Sequence, residues 1–203
     1  MESLRGHAIR QRFANPPAWL PELHSDPRLS SRTPVQAAVL VPLVLRDDLT
    51  VLLTQRTTQL TSHSGQVAFP GGKADLQDAS LQATALRETL EEIGLEHGFI
   101  EIIGNLPTYT TGTAFVVTPV VALIRPGFCI APNPHEVAEV FEVPLEFLMN
   151  PANHRRHAVH WEGARREWLS MPYHDQDAVA ERFIWGATAA MLRNLYAFLS
   201  ASL

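Results

Sequence analysis

One cysteine, Cys129, in 203 residues excludes an intrachain disulfide and suits a reducing cytosol. Its place between Phe128 and Ile130 predicts a buried structural thiol rather than a nucleophile. No apolar run approaches the length of a membrane span. The segment 1–13 mixes Arg, Glu and Gln and holds nothing like a signal-peptide core. Positive charge is scarce: 16 Lys and Arg against 21 Asp and Glu give a net charge of −5, which argues against a general nucleic-acid binder. There is no phosphate loop ending in Gly-Lys-Ser/Thr and no Gly-x-Ser-x-Gly elbow, and His135-Glu136-Val137-Ala138-Glu139 lacks the second histidine of a zinc-protease helix. His154, His157 and His160 recur without a carboxylate at ligand spacing and are expected to be exposed. Internal repeats and low-complexity segments are also missing.

What is present is concentrated between residues 71 and 95. The pair Gly71-Gly72 leads into Arg87-Glu88-Thr89-Leu90-Glu91-Glu92-Ile93-Gly94. On a helix, Glu88, Glu91 and Glu92 are neighbours on one face, and like charges so close destabilise it. A hard divalent cation held by carboxylate oxygens would relieve that repulsion. Arg87 lies four residues before Glu91 and is placed to orient it. Without the glycine turn and the arginine, such a charge run would more simply be a solvated helix face.

This stretch resembles the Nudix box: a glycine, five residues, a glutamate, seven residues, then Arg-Glu-x-x-Glu-Glu-x-Gly. The second half matches completely. In the first half Asp78 takes the acidic position, eight residues rather than seven separate it from Arg87, and Thr89 stands where an aliphatic residue is usual. Upstream, Leu52-Leu53-Thr54-Gln55-Arg56 and Gly65-Gln66-Val67-Ala68-Phe69-Pro70-Gly71-Gly72 look like the signature of coenzyme A pyrophosphatases, with Thr61 where an arginine is usual. The longer box looks like the same subfamily, as do Val117-Thr118-Pro119-Val120-Val121, Phe141-Glu142-Val143-Pro144-Leu145 and Phe183-Ile184-Trp185-Gly186. The resemblance spans residues 35–195 and implies a Nudix α/β/α sandwich around a mixed β-sheet, a fold in which homodimers are common.

By the same resemblance Glu88 and Glu92 are the expected metal ligands with Glu91 a third, and Mg²⁺ or Mn²⁺ the expected cofactor. A carbonyl at Gly72 is a further candidate ligand, because glycine lets the backbone approach closely. Arg56, Gly71 and Lys73 are candidates for substrate binding, and Glu136 or Glu139 for a base or extra ligand from outside the box. Phe69 and Pro70 are expected to be packing and turn residues. The reading that follows is a cytoplasmic, metal-dependent pyrophosphohydrolase. Its substrate would be the diphosphate of coenzyme A or its derivatives, cleaved to 3′,5′-ADP and 4′-phosphopantetheine or its acyl form. The alternatives are a Nudix hydrolase of ADP-ribose or another nucleoside diphosphate derivative, and a non-catalytic nucleotide-sensing module. The expected partner is a small-molecule diphosphate, with neither nucleic acid nor membrane.

Periodicity supplies the elements. Residues 1–34 read as a short helix at 3–13 followed by a Pro-rich arm packed on a domain at 35–203. An aliphatic run at 36–45 predicts a strand buried on both faces, with Pro42 arguing for an edge or bulge. A turn at 46–48 leads to a returning strand at 49–56, and 57–65 reads as a loop before a short strand at 66–69. Asp78 is the expected N-cap of the acidic helix, Leu86, Leu90 and Ile93 its apolar stripe, and Gly94 its left-handed end. Strands are expected at 100–106 and 116–124, a loop at 126–135, a helical turn at 144–149 and a hairpin across 159–169. A helix at 177–199 should carry Trp185 and Tyr196 as core or dimer contacts.

Overall fold

The computed structural model describes residues 4–26, 33–58, 64–161, 164–175 and 181–202. Its centre is an aliphatic strand, β1 (Val35–Val44), in parallel register with β7 (Phe115–Ile124) from Val35 opposite Phe115 to Val44 opposite Ile124. Both are buried over most of their length, as continuous aliphatic runs require of strands covered on two faces. On its other edge β1 pairs antiparallel first with β4 (Gly71–Lys73) and then with β2 (Thr50–Arg56). Pro42 therefore does not mark an edge strand. Leu40 donates its amide to the Pro70 carbonyl on that side, and alternate residues point the same way, so the N–H missing at Pro42 falls where the partner changes from β4 to β2.

The sheet is completed by β3 (Val67–Ala68) and β8 (Val137–Pro144) on β2, and by β5 (Ile100–Asn105) and β6 (Tyr109–Thr110) on β7. The β8 strand was not anticipated from periodicity. It is half-buried along much of its length, so it lacks the aliphatic continuity of β1 and β7. A second, three-stranded sheet joins β9 (Arg155–Trp161), β10 (Ala164–Tyr173) and β11 (Arg182–Trp185). The expected hairpin is thus longer than predicted, and its turn at 162–163 lies outside the described residues.

Apolar residues collect in two cores, one on each face of the large sheet. One contains Ala38, Leu40, Val120 and Ala122 and is closed by α2 (Leu81–Ile93) through Ala85 and Ile93. The other contains Val41, Val121 and Leu123 and is closed by Ile9 of α1 (Gly6–Ala14), Leu145 and Leu148 of α3 (Leu145–Leu148), and Leu192, Leu195 and Phe198 of α4 (Gly186–Ser200). The result is the mixed α/β sandwich expected from sequence.

Three local expectations are corrected. The predicted helix at 177–199 begins as β11; residues 176–180 lie outside the described set, and the helix starts at Gly186, whose φ of 62° is open to glycine and breaks the strand. Trp185 therefore precedes α4 rather than lying on it. Cys129 is exposed, not buried. Of His154, His157 and His160, only the last is exposed: His157 stacks on Trp168 with ring centroids 5.2 Å apart, and half-buried His154 hydrogen-bonds the Leu148 carbonyl at 2.7 Å.

The arm is tied to the domain by specific polar contacts. Asn194, buried on α4, accepts from the Leu23 amide at 3.1 Å and donates to the Leu23 carbonyl at 2.7 Å. Glu22 meets Arg193 at 2.8 Å, and the Asp26 amide donates to the Thr110 carbonyl at 2.7 Å.

Candidate active site

Helix α2 starts at Ser80, not at Asp78. Ser80 is extended, and its Oγ accepts from the Ala83 amide at 3.1 Å, satisfying one of the free amides of the first turn. Asp78 is occupied otherwise: both its oxygens accept from Arg87, each at 2.9 Å, and one also accepts from the Thr84 hydroxyl at 2.8 Å. The Arg87 pair, the Asp75 amide and Thr84 hold the Asp78 carboxyl well below the usual carboxylate range. At the other end Gly94 has φ 69° and donates its amide to the Leu90 carbonyl, the expected left-handed cap.

The buried face of α2 is also not the expected one. Leu90 is 43% exposed, and the residues turned inward are Thr84, Ala85, Thr89, Glu92 and Ile93. Small side chains are needed there because the helix lies close over β1 and β4. Thr89 satisfies its own hydroxyl by donating to the Ala85 carbonyl at 2.6 Å. Glu92 and Glu88 of the acidic stripe thus face the sheet, while Glu91 stays toward water.

The three glutamates have different environments. Glu92, its side chain 4% exposed, accepts from the Gly71 amide at 3.0 Å and lies 3.5 Å from Arg56 Nη1. Burial pushes its carboxyl up to about 7; the Gly71 amide and Arg56 pull the other way, while Glu136 and Glu88 add to the rise. Glu88 is also pushed up by burial, offset by Arg87, with Glu91 and Glu136 adding repulsion. Glu91 is the most exposed of the three and accepts from Arg87 at 3.1 Å, as its i,i+4 spacing predicts.

The same Arg87 guanidinium donates to Glu88 at 2.8 Å and to the Lys73 carbonyl at 3.2 Å, so it joins the helix, the acidic loop and β4. Gly71 and Gly72 are required by close approach. A Cβ on Gly71 would lie 2.4 Å from the Ala38 carbonyl oxygen, and one on Gly72 would lie 2.5 Å from Glu88 Oε2. Lys73 is exposed.

The two outside candidates separate. Glu136 accepts from the Asn133 amide group at 3.2 Å and is close enough to raise both Glu88 and Glu92. Glu139 is engaged by Arg182, which also donates to Gln55 at 3.0 Å and lies over the Phe141 ring. Arg56, whose Nε is buried without a hydrogen-bond partner, presents its guanidinium to Glu92.

Among the described residues no three carboxylate, histidine or cysteine side chains stand together as a closed metal cage. The donor chemistry nonetheless fits a hard divalent cation. Glu88 and Glu92 offer only oxygen, are desolvated, and repel each other and Glu136; a cation would relieve this.

Against the other face of β4 lies a pocket of about 500 Å³ that sequence reasoning missed as a unit. Arg56, Gly71, Gly72 and Lys73 border it, and the N-terminal arm, the 111–113 loop and the start of α4 close it. These walls are far apart in the chain. The only sequence signal was Gly186, which could have placed Trp185 at a strand-to-helix corner.

Comparison with known proteins fits this geometry. A family model described as NUDIX domain matches residues 34–162. The chain is 44% identical over 161 residues to the protein named "Uncharacterized Nudix hydrolase NudL" of Citrobacter koseri, covering 79% of this chain and 80% of that one. It is 37% identical over 174 residues to the protein of the same name from Photorhabdus laumondii, covering 86% and 90%. Among solved structures, a MutT/nudix family protein from Enterococcus faecalis aligns with TM-score 0.49 and 17% identity over 93% of this chain and 72% of that one. The chain belongs to the Nudix family and is a Nudix hydrolase, an enzyme of phosphoanhydride cleavage. Such enzymes generally use divalent metal ions and act on small-molecule diphosphates.

Proposed function

We propose that this protein hydrolyses the diphosphate of coenzyme A or its derivatives with Mg²⁺ or Mn²⁺, releasing 3′,5′-ADP and 4′-phosphopantetheine or its acyl form. The observation that carries this reading is the meeting, at one carboxylate, of the two halves of the upstream motif. Arg56 from the first half lies 3.5 Å from Glu92, and Gly71 from the second donates to the same side chain at 3.0 Å. Thr61, where the motif departs, lies outside the described residues.

Glu88 and Glu92, with Glu91 and the Gly72 carbonyl at the margin, would hold the ions. Bound there, a divalent cation supplies charge neutralisation on phosphoryl oxygens and a more acidic water. Arg87 orients Glu88 and Glu91 by direct hydrogen bonds, and its own position is fixed by Asp78. Arg56 and Lys73 border the pocket where a diphosphate would leave the glycine turn. Of the outside carboxylates, Glu136 rather than Glu139 is the extra ligand or proton acceptor, because Arg182 engages Glu139.

The test is metal-dependent hydrolysis of coenzyme A beside ADP-ribose, with Glu92→Gln as control. Release of 3′,5′-ADP that the substitution abolishes supports the reading. Faster turnover of ADP-ribose keeps the hydrolase and overturns the substrate.

A further inference from the structure

The pocket behind the glycine turn is divided chemically. Its charged residues, Arg56, Lys73 and Asp26, come from the segments that border the turn and the arm. The remaining walls include Val39, Phe115 and Val117 on the sheet and Ala187 and Met191 on α4, with Gln66, Thr111, Thr113 and Trp185 adding polar side-chain atoms. Thr188 also lines it, but its hydroxyl proton is spent on the Val67 carbonyl at 3.0 Å. A purine pushed against the aliphatic walls would give up water at its ring nitrogens, and the Thr111 and Thr113 hydroxyls already bond each other at 3.0 Å, with Thr111 also accepting from the Phe115 amide. An aliphatic chain loses nothing there.

The volume, about 500 Å³, is in the range of small-molecule sites. The lining also offers backbone donors. Trp185 makes no side-chain cap at the start of α4, and Gly186, Ala187 and Thr188 of the opening turn all border the pocket. Amides of a first helical turn have no partner within the helix, so they are free to meet carbonyl oxygens.

We infer that this pocket receives the arm of the substrate that carries no nucleotide: an apolar chain bearing amide or thioester carbonyls. Phe115 on the sheet and Ala187 on the helix set the length of chain accepted. The inference rests on the coenzyme A reading for the identity of that arm, and it makes acylated forms better substrates than the free thiol. The diphosphate then lies across Gly71 and Gly72, between the glutamates on one side of β4 and the apolar arm on the other.

The experiment is calorimetric titration of the full chain with S-methyl- and S-hexyl-pantetheine, fragments that carry neither diphosphate nor nucleotide, and separately with 3′,5′-ADP. The hexyl fragment is expected to bind at least about tenfold more tightly than the methyl one, since added methylenes are buried. Ala187→Phe should erase that preference by filling the pocket. Phe115→Ala, checked for folding by its melting curve, should weaken the hexyl fragment more than the methyl fragment. Equal affinities for the two fragments, or a preference that survives both substitutions, overturn the inference. So does loss of 3′,5′-ADP binding in Ala187→Phe, which would give the pocket to the nucleotide. Hydrolysis of ADP-ribose without coenzyme A would instead sink the substrate reading, and the fragment titrations would still decide what the pocket holds.

Discussion

The charge of Glu92 sits where a folded protein least tolerates one, compensated among the described residues by the Gly71 amide and a 3.5 Å arginine contact. Glu92→Gln keeps an acceptor for the Gly71 amide and removes the charge. We expect at least about a hundredfold loss of kcat and, in metal-free protein at pH 8, a melting temperature raised by about 2–6 °C. Calorimetry with and without Mg²⁺ checks this: added metal should narrow or reverse the difference. Gly72→Ala separates the two glycines of the turn. Its Cβ meets the movable end of Glu88 at 2.5 Å, whereas Gly71→Ala meets backbone at 2.4 Å. The first should lower kcat about tenfold or more with little change in urea midpoint, and the second should destabilise the fold. Glu136→Gln should lower kcat far more than Glu139→Gln, whose larger effect should appear in stability because it removes the charge that partners Arg182.

His154 allows a pH prediction. Burial pushes its pKa below 6.5, and its ring is fixed as the Nε2–H tautomer: the Leu148 carbonyl can only accept and Arg193, 3.0 Å from Nδ1, can only donate. The unfolded chain takes up the proton first as pH falls. The stabilising contribution of His154 is therefore complete above pH 6.5 and lost below it. Melting curves between pH 7.5 and 5.5 should show the wild type losing ground to His154→Gln, with other groups cancelling in the difference. Of these residues the clustering of the glutamates was legible in sequence, because Glu88, Glu91 and Glu92 share one helical face beside the Gly71-Gly72 turn and Arg87. His154 was not, since its partners lie on α3 and α4.

At the scale of elements, sequence reading succeeded where hydrophobic continuity decides and failed where close approach does. The aliphatic runs of β1 and β7 are strands because nothing else buries them on two faces. Helix α2 was correctly bounded at Gly94, yet its inward face was misjudged. Periodicity ranks Leu86 and Leu90 above Ala85 and Thr89, while the narrow gap to β4 prefers the smaller pair. The boundary between β11 and α4 was likewise hidden, because aromatic Phe183 and Trp185 suit either state and only Gly186 tells them apart. The arm's attachment had no sequence signal at all. Asn194→Ala should cost about 1–3 kcal/mol in urea unfolding, since the Leu23 amide and carbonyl both lose their partner. Because the same arm carries Asp26 to the pocket, KM should rise in that variant by more than kcat falls.

Across the whole molecule, the two cores divide labour. One backs the catalytic helix; the other collects α1, α3 and α4 and so shapes the pocket. Arg12 of α1 donates to the Phe198 carbonyl at 2.9 Å and to that of Ala201, closing the C-terminal end of α4. Removing residues 1–26 should therefore expose Phe198 and Leu195 and lower the melting temperature sharply rather than merely shorten the chain. The parallel ladder of β1 and β7 has a consequence of another kind. Everything from the returning strand to the end of α2 lies in the span between these two strands, so the ladder is a long-range closure that brings no local reward until it is complete. No nascent or partly refolded chain that lacks β7 can support Gly71 and Glu92 against a finished sheet. Enzyme activity should return during refolding with the slowest phase and never before it, making the hydrolase a late reporter of its own topology.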